Sequence, residues 1–478
     1  MRDSEGAAMK TVLKRTLALL LVLALTLGSV YIIDRVLLLK RYDGVKPMQS
    51  FYAQEPGTVD VLLLGNSHMG VHADTATLWQ EYGISAFALW GGVQPMWNTY
   101  HFLVEALKTQ TPKAVVLEIG GLSYDWEYAD EATQLKNVAG MKLSRNKWEA
   151  VQVTAPQDRW AALMLGLPLY HQRYGEVTQE DFNYFPWSEG LVNEKGSFAL
   201  YGHGNFDLGD AAAITEVAEI SEKSLDYFGR FISLCREKEI PLILVKTPTV
   251  DLKKYQPYCN AVEQIAAREG LAFYNFNVMG EETGITGEDF YFDTHLNLAG
   301  ARKLSRSLAE ILLDTVMLTD HRGDSAYASW DVNAESINDG YLVSITEAAD
   351  YITELQRGGR AVLLIKNGDW ENREPYLSFA KELSKLGVSE EELLEKGSGA
   401  WLITDVPAGQ ASRKGSSFTI DGKDYAVDFA QAAVTENGST VYTFRDLGIT
   451  LLVYDYGCGK LLDRVDFLHS GYFELSRK

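Results

Sequence analysis

This 478-residue chain has little cysteine, and it has far fewer basic than acidic residues. Its three cysteines, Cys235, Cys259 and Cys458, are odd in number and follow no ligand spacing, which argues against a disulfide framework or a zinc site. Lysine and arginine total 44 against 65 aspartate and glutamate, a net charge of −21. A nucleic-acid-binding surface needs clustered basic residues, so this balance argues against such a partner, although a local basic face could be hidden in the total.

The remaining composition is that of a globular protein. Hydrophobic residues make up 46% of the chain and charged residues 23%, which leaves no case for wholesale disorder. A chain of this length exceeds one ordinary core, so we expect two soluble domains and some additional segments.

The N-terminal region contains an apolar stretch that is free of charge from Leu17 to Ile33 and continues, after Asp34-Arg35, as Val36–Leu39. Seventeen apolar residues are the lower limit for crossing a bilayer. A cleaved signal peptide usually ends earlier, at a small-residue site, for which Leu27-Gly28-Ser29 is a weak candidate. We therefore predict a cytoplasmic tail (1–16), an uncleaved transmembrane anchor (17–39) and a single-pass protein of the cell membrane whose bulk is extracytoplasmic.

Beyond residue 58, short apolar runs alternate with segments of helical period. The runs are Val59–Leu64, Ser85–Leu89, Lys113–Ile119, Pro241–Lys246 and Leu271–Tyr274, and the helical segments are Met96–Lys108, Ile220–Lys238, Cys259–Arg268 and Leu298–Met317. This alternation predicts an α/β fold with a mostly parallel sheet covered on both faces. An aromatic-rich stretch at about 123–215 breaks the pattern and reads as an insertion, either functional or decorative.

A polar segment at 318–338 predicts a linker, followed by a smaller α/β domain at 339–478. Its expected helices are Thr346–Gln356 and Pro375–Leu386, and its expected strands are Arg360–Lys366, Ala400–Thr404, Ser417–Ile420, Asp424–Asp428, Ile449–Tyr454 and Leu461–Phe467. Asp421-Gly422, between two of these strands, is a strong hairpin signal.

Two distant segments carry the candidate chemistry. GNSHMG at 65–70 follows the first apolar run and offers Ser67 on a strand-to-helix turn, while DTHLN at 293–297 precedes a helix and offers His295 with Asp293 two residues upstream. Each segment alone is an ordinary turn or cap. Together they supply a nucleophile, a base and an orienting acid, the set needed for acyl transfer through a serine ester.

Backbone donors for an oxyanion are expected from Ser67 and from Gly91 or Gly92, which follow the second strand in LWGGVQPMW. Metal binding is the rival use of the same region, with five possible ligands: His68, His72, Asp74, Asp293 and His295. No tight ligand spacing such as H-E-x-x-H is present, so we predict neither a metal nor a cofactor.

At these residues the chain resembles the SGNH/GDSL hydrolase superfamily, and within it the membrane-anchored branch that includes the D-alanyl transfer protein DltD and alginate O-acetyltransferase proteins. The resemblance covers 58–317 and implies a flavodoxin-like three-layer sandwich in which Ser67, His295 and Asp293 are catalytic. The chain departs from the pattern at LEIGGLSYD (117–125), which lacks the asparagine of the G-x-N-D block. Asn98 is a candidate substitute for that oxyanion donor.

The C-terminal segments FTIDGKDYAVDF (418–429) and GITLLVYDYGCGKLLDRVDF (448–467) resemble the interleukin-like EMT inducer (ILEI) domain, with its helical half placed first. The two resemblances imply an extracytoplasmic O-acyl, and specifically O-acetyl, transferase or esterase. Its substrate would be a cell-surface glycan or teichoic-acid-like polymer, and its partner a membrane-bound O-acyltransferase (MBOAT) protein. The alternatives are a non-catalytic glycan-binding or envelope-assembly protein with a degenerate site, and a metal-dependent hydrolase.

Overall fold

The computed structural model describes residues 2–182, 189–202, 204–292, 294–356, 360–370, 374–404, 412–445, 448–456, 459–469 and 473–477. Asp293 and Cys458, which the sequence analysis names, lie outside these residues. The chain forms two compact units, residues 1–334 and 335–478. The division between them falls inside the segment that the sequence analysis expects to be a linker.

The first unit is built on a five-stranded parallel sheet. Its strands are β1 (Val61–Gly65), β2 (Ala86–Trp90), β3 (Ala114–Glu118), β4 (Leu242–Lys246) and β5 (Ala272–Asn275), in the order β2-β1-β3-β4-β5. This is the order of flavodoxin-like doubly wound sheets. The first four strands are buried along their whole length, which is why they read as continuous apolar runs. All five predicted strands are confirmed within two residues at each end.

Helices of the first unit precede the sheet and connect its strands. They are α1 (Arg2–Leu37), α2 (Val45–Tyr52), α3 (Ser67–His72), α4 (Thr75–Tyr82), α5 (Met96–Ala106), α6 (Glu131–Val138), α7 (Arg145–Thr154), α8 (Trp160–Met164), α9 (Leu167–Tyr170), α10 (Gln179–Phe182), α11 (Glu189–Asn193), α12 (Glu222–Glu237), α13 (Leu252–Glu269), α14 (Gly280–Thr283) and α15 (Leu298–Thr315). Six of them, α6 to α11, lie in the predicted insertion. A short antiparallel pair, β6 (Phe290–Phe292) and β7 (His295–Leu296), precedes α15.

The N-terminal helix α1 is long and apolar enough to cross a membrane. The most apolar window of its segment Val12–Leu37 has a mean hydropathy of 2.4, and that window is not covered by the rest of the protein. This finding is consistent with the predicted anchor and leaves the topology of the chain as a prediction.

The sheet register brings four strand ends to one edge. Gly65 is paired with Trp90 and Glu118 with Val245, and Lys246 follows Val245 at the end of β4. The chain runs from β1 to β2 on one side of β1, and then from β2 to β3 on the other side, so the strand order changes direction at β1. The crevice outside the carboxyl ends of β1 and β3 is therefore the place where such sheets bind ligands.

The second unit contains two antiparallel sheets. The helices are α16 (Ala328–Ser344, which begins in the first unit), α17 (Ala348–Leu355), α18 (Tyr376–Ser384) and α19 (Glu390–Leu394). The strands are β8 (Arg360–Asn367), β9 (Gly399–Ile403), β10 (Ser412–Lys414), β11 (Ser417–Ile420), β12 (Lys423–Asp428), β13 (Ala433–Glu436), β14 (Ser439–Thr443), β15 (Gly448–Asp455), β16 (Lys460–His469) and β17 (Phe473–Arg477). One sheet has the order β10-β9-β8-β15-β16-β17 and the other the order β11-β12-β13-β14.

Strand β8 shows how the second unit is layered. Val362 and Leu364 belong to the core shared with the helices, whereas Leu363 and Ile365 belong to the core shared with the four-stranded sheet. Since side chains alternate along a strand, the six-stranded sheet is covered on both faces.

Candidate functional site

The GNSHMG segment forms the expected strand-to-helix turn, and neighbouring strands explain its two glycines. Gly65 has φ +156°, and a Cβ there would come within 2.8 Å of the Glu118 Cβ. A Cβ on Gly70 would come within 2.0 Å of the Trp90 indole. Asn66 caps α3 by accepting the His68 backbone N–H at 2.9 Å, which leaves Ser67 as the first helical residue.

The structure brings Ser67 and His295 together across 228 residues of sequence, with His295 Nε2 lying 2.9 Å from Ser67 Oγ. Strand β7 holds His295, and the backbone N–H of Leu296 donates to His72 Nε2 at 3.1 Å, which fastens β7 to α3. Asn297 caps α15 as expected, since its side chain accepts the Gly300 N–H at 2.9 Å. Both side chains of the pair are half-buried, so a substrate can reach them.

The other ring nitrogen of His295, Nδ1, lies 2.8 Å from Thr294 Oγ1. When the threonine hydroxyl accepts the Nδ1 proton, Nε2 is left free to receive the serine proton. Burial, together with His68 and Lys246, lowers the pKa of His295 to about 3, so the ring is neutral at pH 7 and able to act as a base. Asp293, the predicted orienting acid, lies outside the described residues, and its role stays a prediction.

Directly beneath the pair lies a buried charged network that the sequence analysis missed. Lys246 Nζ, at the end of β4, is 2.7 Å from Glu118 Oε1 and 2.7 Å from His68 Nδ1. His68 Nδ1 is 3.7 Å from the Glu118 carboxylate, so the lysine rather than the glutamate is its hydrogen-bond partner. All three side chains are almost completely buried.

The network contains an ion pair and a neutral histidine. Burial opposes ionisation of Glu118, but the Lys246 charge and the contact with His68 outweigh it and hold the pKa of the carboxyl at about 2. Burial, and then the charge of Lys246, lowers the pKa of His68. Because Lys246 donates to Nδ1, the neutral His68 ring carries its proton on Nε2.

A charged residue at the end of an apolar strand was the available signal for this network. LILVK ends in Lys246 and AVVLE ends in Glu118, and both strands were predicted correctly. In a parallel sheet the carboxyl ends of neighbouring strands share one edge, so a lysine and a glutamate at adjacent ends can pair.

Two of the proposed metal ligands, His72 and Asp74, are hydrogen-bonded to other groups of the protein. Both nitrogens of His72 are hydrogen-bonded, Nδ1 to Thr247 Oγ1 at 2.8 Å and Nε2 to the Leu296 N–H. Asp74 caps α4 through the Ala76 N–H. Within the described ranges, no group of three or more histidine, cysteine, aspartate or glutamate side chains is arranged to hold a metal ion.

The oxyanion candidates differ in what their donors already contact. No acceptor among the described residues binds the Ser67 backbone N–H, so this donor is available. The Gly92 N–H donates to the Asp43 carbonyl at 2.9 Å and is therefore already used. The Asn98 amide donates to Thr154 Oγ1 at 2.8 Å, which joins α5 to α7.

Gly91 is the second remaining candidate. A Cβ at this position would come within 2.3 Å of Asn137 Oδ1 and 2.6 Å of Gln94 Oε1, so no other residue fits there without movement.

Protein-family models and curated proteins were both compared with this chain, and none of them matches it.

Proposed function

We propose that this protein is a serine-dependent acyltransferase or esterase. The observation that carries the proposal is the 2.9 Å contact between Ser67 Oγ and the Nε2 atom of a neutral His295, at the ligand-binding edge of the sheet. A serine on the first residue of a helix, bonded to a buried base, is the arrangement that nucleophilic catalysis requires.

The reaction would proceed in two steps. Ser67 Oγ attacks the acyl carbonyl carbon of the donor while His295 Nε2 accepts the hydroxyl proton, and the carbonyl oxygen becomes an oxyanion near the Ser67 N–H and Gly91. The bond to the leaving group then breaks, and His295 returns the proton to it. In the second step a hydroxyl of the acceptor, or water, loses its proton to His295 and attacks the acyl-serine; the bond from Ser67 Oγ to the acyl carbon then breaks, and His295 returns the proton to Oγ.

The substrate class and setting follow from the family resemblance. The proposed acceptor is a cell-envelope glycopolymer, the proposed acyl group is acetyl, and an MBOAT-type membrane protein would supply it. The parallel sheet of order β2-β1-β3-β4-β5 supports an SGNH-type three-layer domain, and the apolar helix α1 supports placement at a membrane. An ILEI-like second unit would hold the glycan.

The first test is covalent labelling of the full-length, detergent-solubilised protein with a serine-reactive fluorophosphonate. We expect labelling that is lost in Ser67→Ala and reduced at least about a hundredfold in His295→Ala, the usual contribution of a positioned base. His321→Ala is the matched control, because His321 is also a hydrogen-bonded histidine of the first unit, with Nε2 3.0 Å from the Asp60 carboxylate. Asp60 lies just before β1, at the end of the strand opposite to Ser67, so the His321→Ala protein should be labelled normally.

The second test is the ester content of envelope glycopolymers in the native host. Unchanged ester content in a Ser67→Ala strain would overturn the proposed biological role, even if the purified protein is labelled.

The small number of free oxyanion donors favours one second candidate, a non-catalytic glycan-binding protein. Gly92 and Asn98 are both committed to other partners. For this candidate we expect no labelling, and a Ser67→Ala protein that retains glycan binding and full cellular function.

A further inference from the structure

The carboxyl end of α1 is hydrogen-bonded to residues of the insertion and is not a free linker. Asp34 is buried, and its Oδ1 atom accepts the backbone N–H of Leu167 at 2.6 Å. Arg173 donates to the Leu37 carbonyl, one of the last acceptors of α1, at 2.8 Å.

A third connection follows directly after the helix. Lys40 donates to the carbonyls of Arg35 and Val36, at 2.6 and 2.8 Å, and also contacts Asp181 at 3.4 Å. Asp181 is paired with Arg173 as well, at 2.8 Å. Asp181 is thus shared by Lys40 and Arg173, and each of these cations has its ionic partner within the protein.

The insertion residues that make these connections are Leu167, Arg173 and Asp181, and each lies within two residues of an exposed, large apolar side chain. These side chains are Leu169 on α9, Tyr174 in the turn His171–Gly175 and Phe182 on α10, with 38%, 80% and 47% of their surface exposed. Exposed apolar groups that cluster at one place usually mark a surface that contacts a partner or a membrane.

The position of this cluster along α1 favours a membrane. The charge-free part of the apolar segment of α1 ends at Ile33, and the connections span Asp34 to Lys40. A bilayer has a hydrocarbon core of about 30 Å and headgroup layers of roughly 5–8 Å on each side, while a helix rises about 1.5 Å per residue. Groups joined to the first residues after Ile33 therefore lie at the depth of the headgroup layer, where tyrosine is enriched.

We propose that α9, the turn His171–Gly175 and α10 form a membrane-facing surface that lies in the headgroup layer beside α1, with Leu169, Tyr174 and Phe182 in contact with phospholipid. This inference rests on the proposed membrane span of α1. Because the nearby charges are paired, the contact is apolar and aromatic, and it does not require anionic lipid. The occupant is lipid rather than another protein because the surface continues directly from the apolar helix.

The test uses the full-length protein in phosphatidylcholine vesicles that contain no other protein. The variants Tyr174→Cys and Phe182→Cys, which each add one cysteine to the three native ones, carry an environment-sensitive fluorophore, and quenching is measured with lipid bearing a nitroxide at the headgroup or shallow acyl position. Cys235 and Cys259 are buried, and the unsubstituted protein gives the labelling blank.

Two further variants are the controls. Leu23→Cys, measured with lipid that carries its nitroxide deep in the acyl chain, reports whether α1 is in the bilayer, because residue 23 lies about 15 Å along the helix from Ile33 and so near the bilayer centre. Val278→Cys reports an exposed site that follows β5. Strand β5 lies at the opposite edge of the sheet from β2, and α2, the helix that follows α1, packs on β2. Four strand spacings of about 4.8 Å separate β2 from β5, so this site should remain in water.

We expect the shallow nitroxide lipid to remove roughly half or more of the emission at positions 174 and 182 and little at 278. Quenching at 23 with none at 174 and 182 would overturn the surface and leave the span intact, and would favour a protein partner for these side chains. No quenching at 23 would overturn the span and the surface with it, while leaving the serine chemistry untouched. Adding anionic phosphatidylglycerol should change the quenching little.

Discussion

Lys246 Nζ lies 2.7 Å from Nδ1 of His68, the residue directly after the candidate nucleophile Ser67. The same ammonium group is bonded to Glu118, so one buried ion pair on β3 and β4 supports the first turn of α3 from below. The His68 ring stacks on His72, with centroids 5.2 Å apart, and meets His295 edge to face at 5.3 Å. The positive charge of Lys246 is therefore separated from the candidate base, His295, by one side chain, that of His68.

Fluorophosphonate labelling of Ser67 should be nearly independent of pH between about 5 and 8. Burial comes first among the causes that bring the pKa of His295 to about 3, and His68 and Lys246 lower it further while Glu118 acts in the opposite direction. The base is thus neutral across this range, whereas a base of pKa about 6.5 would lose roughly thirtyfold in rate at pH 5. Second-order labelling rates measured across the range would decide the matter, and a decline centred near pH 6.5 would contradict the neutral base.

Lys246→Met should destabilise the fold by about 3–5 kcal/mol, because it leaves the Glu118 carboxylate buried without its cation. The double variant Lys246→Met/Glu118→Gln should lose much less than the sum of the single variants, as measured by thermal unfolding in detergent. The pKa of Glu118 falls from the usual 4.5 to about 2 on folding, so its stabilisation is present above pH 4.5 and is lost as the pH falls toward 2.

Lys147→Met is the matched control for this prediction. Lys147 is equally buried, but its Nζ atom has no hydrogen-bond partner in the described part of the chain. Burial lowers its pKa to about 7, so its charge opposes folding near neutral pH, and we expect the methionine variant to be at least as stable as the parent. Equal losses in the two lysine variants would argue against a specific Lys246–Glu118 pair.

Gly70→Ala should destabilise the protein by about 1–3 kcal/mol and lower the yield of labelled protein, because the new methyl group meets the Trp90 indole. Gly229→Ala is the opposite case. It lies in the middle of α12 with no atom within 4 Å of its would-be Cβ, so alanine should stabilise the helix by about 0.5–1 kcal/mol. Unfolding midpoints that move in the same direction for both variants would contradict the packing described at Gly70.

Thr294→Val should slow labelling about tenfold, since it removes the hydroxyl at His295 Nδ1 and with it a hydrogen bond of about 1–1.5 kcal/mol. Thr294→Ser keeps the hydroxyl and should restore most of the rate. Asp293→Asn tests the acid that the sequence predicts. A larger loss in Asp293→Asn than in Thr294→Val would assign the orienting role to the aspartate.

The sequence was sufficient to predict elements that depend on local pattern. Buried parallel strands have to be apolar along their length, so the five short runs were visible, and a glycine-flanked serine after the first of them marked the turn. The two strands β13 and β14 were missed because AVTE and STVYT are short, rich in polar residues and only partly buried. Their place in the sheet depends on pairing with β12 rather than on their own periodicity.

The sequence identified candidate donors and acceptors of the site, but it did not show which atoms they contact. The two motifs named Ser67 and His295 as partners, whereas the use of the Gly92 N–H by Asp43 depends on the loop before α2. Lys246 and Glu118 read as charged strand ends, which are usually solvated. Only the register of β3 with β4 shows that both side chains are enclosed in the protein.

The fastening of α1 limits how far the serine can travel. Residues 38–44 join α1 to α2, and a free chain of that length would span roughly 15 Å. Here the Arg41 N–H donates to the Leu39 carbonyl and the Lys46 N–H to the Arg41 carbonyl, so this segment is held in place and does not extend freely. With α1 in a bilayer, the unit that carries Ser67 is held at one height above the membrane and cannot extend away from it. An acceptor polymer would have to be modified while it passes close to the membrane, before it is carried beyond that height.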